Sequence, residues 1–279
     1  MTQNLITVGV FLLIVAVLAW KRLHTYSDIS VPDPGTRRKD LLYGYYGCLD
    51  EQVAETKDHI NLLHESQWNG VDKCIQNILD AATTTCIDVS IQVFDKGVVR
   101  PDALTRLFEF FHLLETRESL KYVKIIYPID EPNNTTTIGE LVKGVDIIKA
   151  VAANFRDLNG VKLAAIYAAD KKFIGQELFD YLGFDDYDKK SSVLTGQYKK
   201  FHDTLLDFQK TIIIPGGAYG QDPVPFVNWA QTDMKVGIVM PFLWLDDKNG
   251  SVGAPGIRSN ATKDWYIAAG KSVCGDKII

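Results

Sequence analysis

A pair of acids closes one of the chain's apolar runs. Residues 122–129 (YVKIIYPI) lead into Asp130-Glu131-Pro132-Asn133. Two acids at the end of such a run can supply acid–base chemistry, provided that burial and a neighbouring carboxylate raise one pKa. Other apolar runs also end in aromatic, amide or acidic side chains: Tyr45, then His64 and Glu65, Gln92, Tyr167, the group Asp185, Asp186 and Tyr187, Tyr219, and finally Trp244 with Asp246. Lysine and arginine are scarce at these positions. Aromatic faces stack on sugar rings, and carboxylates and amides bond hydroxyls in pairs. A phosphate site would instead need basic residues or a glycine-rich helix start. The set suits a neutral carbohydrate better than a phosphorylated metabolite. His64 and Glu65 are adjacent, so on a strand they point to opposite faces and make a poor metal pair. No metal site and no cofactor is expected. Ser66 lacks a G-x-S-x-G setting, and Cys48 has no cysteine-hydrolase signature around it.

The elements that must position these residues alternate in type. Strands are expected at 41–48, 61–68, 86–94, 122–129, 162–168, 182–187, 211–214 and 236–245. Helical patterns lie between them. Cys74, Ile75, Ile78 and Leu79 form one stripe, Leu104, Leu107, Phe108 and Phe111 the next, and Leu141, Val145, Ile148 and Ala152 another. Further helices are expected at 51–60, 173–181, 226–232 and 262–273, and Tyr198, Phe201, Leu205 and Phe208 stripe one more. Strands that alternate with helices pair in parallel through crossovers. Eight such units match the size of a (β/α)8 barrel, typically ~250 residues. The rival is an open doubly wound sheet, and no G-x-G-x-x-G opens a helix here. A barrel carries its chemistry at the carboxyl ends of its strands, where the residues above fall.

At IYPIDEPN the chain resembles retaining glycoside hydrolases built on (β/α)8 barrels. Their fourth strand ends in Asn-Glu-Pro or Asp-Glu-Pro and places the acid/base glutamate. YLGFDDYD looks like the sixth-strand segment of such barrels, and MPFLWLDD like an eighth strand ending in an aromatic sugar platform. The resemblance implies that Glu131 is the proton donor to the glycosidic oxygen and that Asp130 faces the sugar 2-hydroxyl. It fails at strand seven, where those families carry a nucleophilic glutamate and this chain has Pro215-Gly216-Gly217. Hydrolysis usually takes two carboxylates. Asp186 or Asp185 is then the first candidate for the second, and Asp246 the next. If none faces Glu131, the barrel binds glycan without cutting it, as a structural component of a cell envelope or virion membrane.

The composition bounds these readings. The chain has 279 residues, 46% hydrophobic and 23% charged, with a net charge of −5. This is a globular balance of the wrong sign for a general nucleic-acid binder. Four cysteines without a C-x-x-C exclude a disulfide scaffold and a zinc finger. Residues 5–20 (LITVGVFLLIVAVLAW) carry no charge and are followed at once by Lys21 and Arg22. An uncleaved, single-pass membrane anchor over residues 1–22 is expected, lying in the bilayer through residues 5–20. No basic residue precedes the run and no small-x-small site follows it, which argues against a signal peptide. Residues 23–40 read as a polar linker and residues 41–279 as the barrel. The flanking basic residues favour a cytoplasmic domain, whereas a glycan-directed role favours the other side of the membrane.

Overall fold

A computed structural model describes residues 37–47, 52–67, 69–169, 171–185, 197–246, 253 and 255–275. The chain divides into two compact units, Met1–Arg37 and Arg38–Ile279. The expected membrane segment lies outside the described residues, as does the linker up to residue 36. Among the described residues no helix is long and apolar enough to cross a membrane.

The second unit is a barrel of parallel strands wrapped by helices. Its strands are β1 (Leu42–Tyr43), β2 (Leu62–Glu65), β3 (Thr84–Asp88), β4 (Val123–Tyr127), β5 (Lys162–Ala168), β6 (Tyr181–Asp185), β7 (Lys210–Ile213) and β8 (Val236–Val239). They form one sheet in the order β1-β8-β7-β6-β5-β4-β3-β2, with every pairing parallel. The helices are α1 (Gln52–Thr56), α2 (Val71–Ala81), α3 (Ala103–Thr116), α4 (Ile138–Ala152), α5 (Gln197–Asp203), α6 (Val224–Thr232) and α7 (Lys263–Cys274). Their buried stripes follow the helical period, as in α4 with Leu141, Val145, Ile148 and Ala152. Thr137 caps α4 by accepting the Glu140 N–H.

The sheet's two ends nearly close the ring through Asn61. Its N–H donates to the Tyr43 carbonyl at 3.0 Å. Its side-chain oxygen accepts the Tyr43 N–H at 2.6 Å, and its amide nitrogen donates to the Leu41 carbonyl at 2.9 Å. Gly44 permits this approach, because a Cβ there would lie 2.1 Å from the Leu62 carbonyl oxygen.

Strand alternation then sorts the side chains into two cores. Leu62, Cys86, Ile125, Tyr127, Ala164, Ile166, Ile212, Ile214, Ile238 and Met240 form the cluster that fills the barrel. A larger cluster lies between strands and helices and includes Tyr45, Ile87, Ile126, Tyr167 and Trp244.

Two expected elements differ in kind, and others are shorter than expected: the strands at 41–48, 61–68 and 236–245 are Leu42–Tyr43, Leu62–Glu65 and Val236–Val239, and the helix striped from Tyr198 to Phe208 ends at Asp203. The third strand stops at Asp88, because the Asp88 carboxylate accepts the Ser90 N–H at 2.7 Å and turns the chain. Residues expected to extend it instead form a short helical turn (Ser90–Val93) and a hairpin of Phe94–Asp95 with Val98–Val99. The helix expected over 173–181 is reduced to a single 3-10 turn, Gln176–Leu178. Gly175 precedes it at φ 61°, and β6 already begins at Tyr181, so too little chain remains for an α-helix.

The seam gives a direct test. Asn61→Ala leaves the Tyr43 N–H and the Leu41 carbonyl without their side-chain partners. The expected loss is about 2–4 kcal/mol of unfolding free energy, read by urea denaturation. A loss below ~0.5 kcal/mol would show that the ring does not depend on Asn61.

Candidate functional site

The carboxyl ends of the strands gather a ring of polar and aromatic groups. β1 continues to Tyr46, β2 supplies His64, β3 ends at Asp88, β4 at Tyr127 and β6 at Asp185. Each follows the inward parity of its strand. Tyr46 and Phe242 pack against the cluster inside the barrel, and Tyr127 belongs to it. His64 stacks on Tyr46 with centroids 4.7 Å apart and meets the edge of Tyr127 at 5.2 Å.

Asp130 is the hub of this ring. One of its carboxylate oxygens accepts the Tyr46 hydroxyl at 2.6 Å and the Tyr127 hydroxyl at 2.7 Å. Burial raises both phenols well above their ordinary pKa, and the Asp130 and Asp185 charges raise them further. Asp88 is also near enough to bear on Tyr46. Asp88 itself is pushed up to about 6, chiefly by burial and further by the Asp130 charge, against the lowering effect of the Ser90 hydrogen bond.

Glu131 follows Asp130 and is half-buried. Its backbone is left-handed at φ 42°, a conformation that costs a side-chain-bearing residue roughly 1–2 kcal/mol. Its carboxylate accepts from the Asn134 amide at 2.9 Å, within the short turn Pro132–Thr135. That turn is held from both sides. Asn133 bonds the Ala168 carbonyl at 2.8 Å and accepts the Ala168 N–H at 2.9 Å, and Thr136 bonds the Gly97 carbonyl of the hairpin. A Cβ on Gly97 would lie 1.8 Å from the Thr135 carbonyl oxygen. The hairpin and the turn also border a cleft of about 530 Å³ lined by Ile91, Phe94, Lys96, Arg100, Ile129 and Asp130.

The other expected rim residues occupy different layers. Tyr45 packs on Trp244 at 4.7 Å in the outer core, and the Trp244 indole N–H donates to Glu55 at 2.7 Å. Glu65 faces α2, where Asn77 donates to it at 3.2 Å. Tyr167 donates to the Ile174 carbonyl at 2.8 Å. Gln92 forms a reciprocal, buried amide pair with Gln67. Asp246 accepts from Arg258, Ser259 and the Gly256 N–H. Tyr219 lies in the turn Gly217–Tyr219 after β7. Asp186 and Tyr187 lie outside the described residues. Among the described residues, no group of three or more His, Cys, Asp or Glu is placed to hold a metal ion.

Asp88 and Tyr127 belong to the ring without having been singled out by sequence, whereas Tyr46 stands beside Tyr45 at the end expected for the first strand. For Asp88 the signal was the Asp-Val-Ser spacing, in which an acid bonds the N–H two residues on and ends a strand.

No family model and no curated protein matches the chain. Solved structures do match in fold. Over 85% of this chain and 51% of its own, the GH2 beta-galacturonidase from Eisenbergiella tayi, bound to galacturonate, superposes with a TM-score of 0.55 at 8% identity. A calcium-binding mutant of Bacteroides uniformis beta-glucuronidase 2 gives 0.56 at 11% identity, over 85% of this chain and 35% of its own. The chain therefore spans about a third to a half of the solved structures it matches. Its barrel has a glycoside hydrolase-like fold.

Asp88 makes the ring's electrostatics measurable. The unfolded chain ionises this residue near 3.8 and the folded chain near 6. Stability linked to Asp88 is thus full at low pH and is lost as pH rises through that window. Asp88→Asn should be about 1–3 kcal/mol more stable than the wild type at neutral pH, with the gain vanishing toward acid pH. Urea unfolding across pH checks this, and a destabilised variant at neutral pH would refute it.

Proposed function

We propose that the chain is a membrane-anchored, glycoside hydrolase-like protein that acts on an oligo- or polysaccharide at the strand-end mouth. Glu131 is the general acid in this reading. The observation that carries it is the gathering of strand-end carboxylates and phenols around Asp130, beside a glutamate held in a strained backbone conformation by a turn stitched to β5 and the hairpin. Strain at a fixed acid is a mark of functional sites. Solved structures of similar fold are named as glucuronidases and a galacturonidase, which supports a carbohydrate as the ligand class.

In this reaction Glu131 protonates the departing glycosidic oxygen. Asp185, at the end of β6, is the first choice for the second carboxylate, which attacks the anomeric carbon or activates a water that does so as the glycosidic bond breaks, because its charge already bears on Tyr46 and Tyr127. Asp130 holds sugar hydroxyls. Residues 5–20 tether the domain to a bilayer as a single-pass anchor.

A second reading rests on β7, which is followed by Pro215-Gly216-Gly217 without an acid. There the barrel keeps the fold and binds glycan without hydrolysing it.

A panel of oligosaccharides separates the two. The full-length chain should release reducing ends from at least one of them. Glu131→Gln should lower that rate by about 10²–10⁴-fold while leaving the melting temperature in place. Undiminished turnover in this variant would remove Glu131 from the mechanism, and binding without turnover in the wild type would favour the second reading.

A further inference from the structure

Two buried polar groups on β2 and just beyond it have no role in the chemistry above. His64 is 2% exposed, and Ser66, which continues the same strand parity, is 4% exposed. Among the described residues, neither the His64 Nε2 nor the Ser66 hydroxyl finds a hydrogen-bond partner. The His64 Nδ1 accepts the Gly47 N–H at 3.1 Å, so the ring proton sits on Nε2. Burial holds the imidazole pKa down to about 4, which keeps this donor uncharged at neutral pH. A buried donor without an acceptor is costly, and an oxygen brought by a ligand relieves that cost.

The groups around His64 define which oxygen this can be. Tyr46 and Tyr127 flank the ring, and both commit their hydroxyls to Asp130. Asp130, Asp185 and Asp88 place negative charge near the Tyr46 phenol that stacks on this ring. Among the described residues, the charges that bear most strongly on Asp88, Tyr46 and Tyr127 are carboxylates. Lys96 and Arg100 line the outer cleft, on the far side of Asp130 from the hydrogen bonds of Tyr46 and Tyr127, and Asp130 borders it too. An anionic group seated among these residues would face several like charges in a partly desolvated space, whereas a sugar hydroxyl can donate to a carboxylate and accept from His64 at once.

We propose that the mouth holds one uncharged sugar ring and excludes uronic acids, with a sugar hydroxyl oxygen accepting the His64 Nε2–H and a neighbouring hydroxyl bonding Ser66 and Asp88. This rests on the carbohydrate reading of the barrel and narrows its substrate class. It departs from the uronides for which the similar solved structures are named.

Saturation-transfer NMR on the full-length chain tests it. The probes are the methyl glycosides of glucose, galactose, mannose and N-acetylglucosamine, with methyl glucuronide and galacturonic acid as the anionic arm. At least one neutral glycoside should bind, at least about tenfold tighter than either uronide. His64→Phe keeps a ring in place and removes the donor, and it should weaken that binding by about tenfold or more. Ser66→Ala gives an independent arm in the same direction should the His64 variant not fold. Uronides binding as tightly as the neutral sugars, undiminished binding in the variants, or no binding by any neutral glycoside would each overturn the proposal. Neutral binding without hydrolysis would sink the Glu131 chemistry and leave this site standing. A Glu131-dependent hydrolysis of uronides would do the reverse.

Discussion

The ring depends on a seam barely two residues wide. β1 is short, and the open edges of β1 and β2 would otherwise present unpaired backbone groups. Asn61 supplies a backbone donor, a side-chain acceptor and a side-chain donor to the same stretch of β1. Gly44 lets the Leu62 carbonyl approach to a distance that no side chain would tolerate. Once these strands are in register, parity does the rest. Leu42, Leu62, Cys86, Ile125, Ala164, Ile212 and Ile238 turn inward, and the residues two or four positions on arrive at the mouth. The polar ring is thus a consequence of closure, since a shift of one residue on any strand would exchange its lumen set for its helix-facing set.

Closure explains the chemistry of the mouth as well. An apolar lumen beneath the ring removes water from one side of Asp88, His64 and Tyr127. The same burial that raises the Asp88 carboxyl lowers the His64 imidazole and raises the phenols. In each case it disfavours the charged form. Two phenolic donors converge on one oxygen of Asp130. Neighbouring carboxyl groups therefore experience different environments, the arrangement from which acid and base roles are separated.

Much of this architecture was legible as alternation. The strand at 162–168 matches its sequence pattern residue for residue, and the α4 stripe is the face that packs, whereas Leu79 of the α2 stripe and Leu104 and Phe108 of the α3 stripe are exposed, and α3 buries Ala103 and Phe110 beside Leu107 and Phe111. The apolar period survives in α4 because this helix is long and has one buried face. Which parity of a strand faces the lumen is not legible in this way. Both faces of a barrel strand are buried, so Tyr45 and Tyr46 are equivalent as letters. Yet one packs on Trp244 among the helices, and the other reaches Asp130. Glu65 and His64 divide in the same manner. Asp88 was hidden for a different reason. The alternation of CIDVSIQVF runs past the true strand end, and only the bond from the Ser90 N–H to Asp88 marks it.

The mouth's position on β3 and β4 also accounts for the hairpin at 94–99. A chain continuing straight from β3 would leave the turn after β4 supported by β5 alone. The hairpin instead folds back so that Gly97 lies against the Thr135 backbone, and the Thr136 hydroxyl bonds its carbonyl. Its second strand is tied to α4, because the Glu140 carboxylate accepts the Val99 N–H at 2.6 Å. The turn bearing Glu131 is therefore clamped between β5 on one side and a hairpin fixed to α4 on the other. Such a clamp is what a left-handed glutamate requires, since the strain at Glu131 persists only where its surroundings over-determine the backbone.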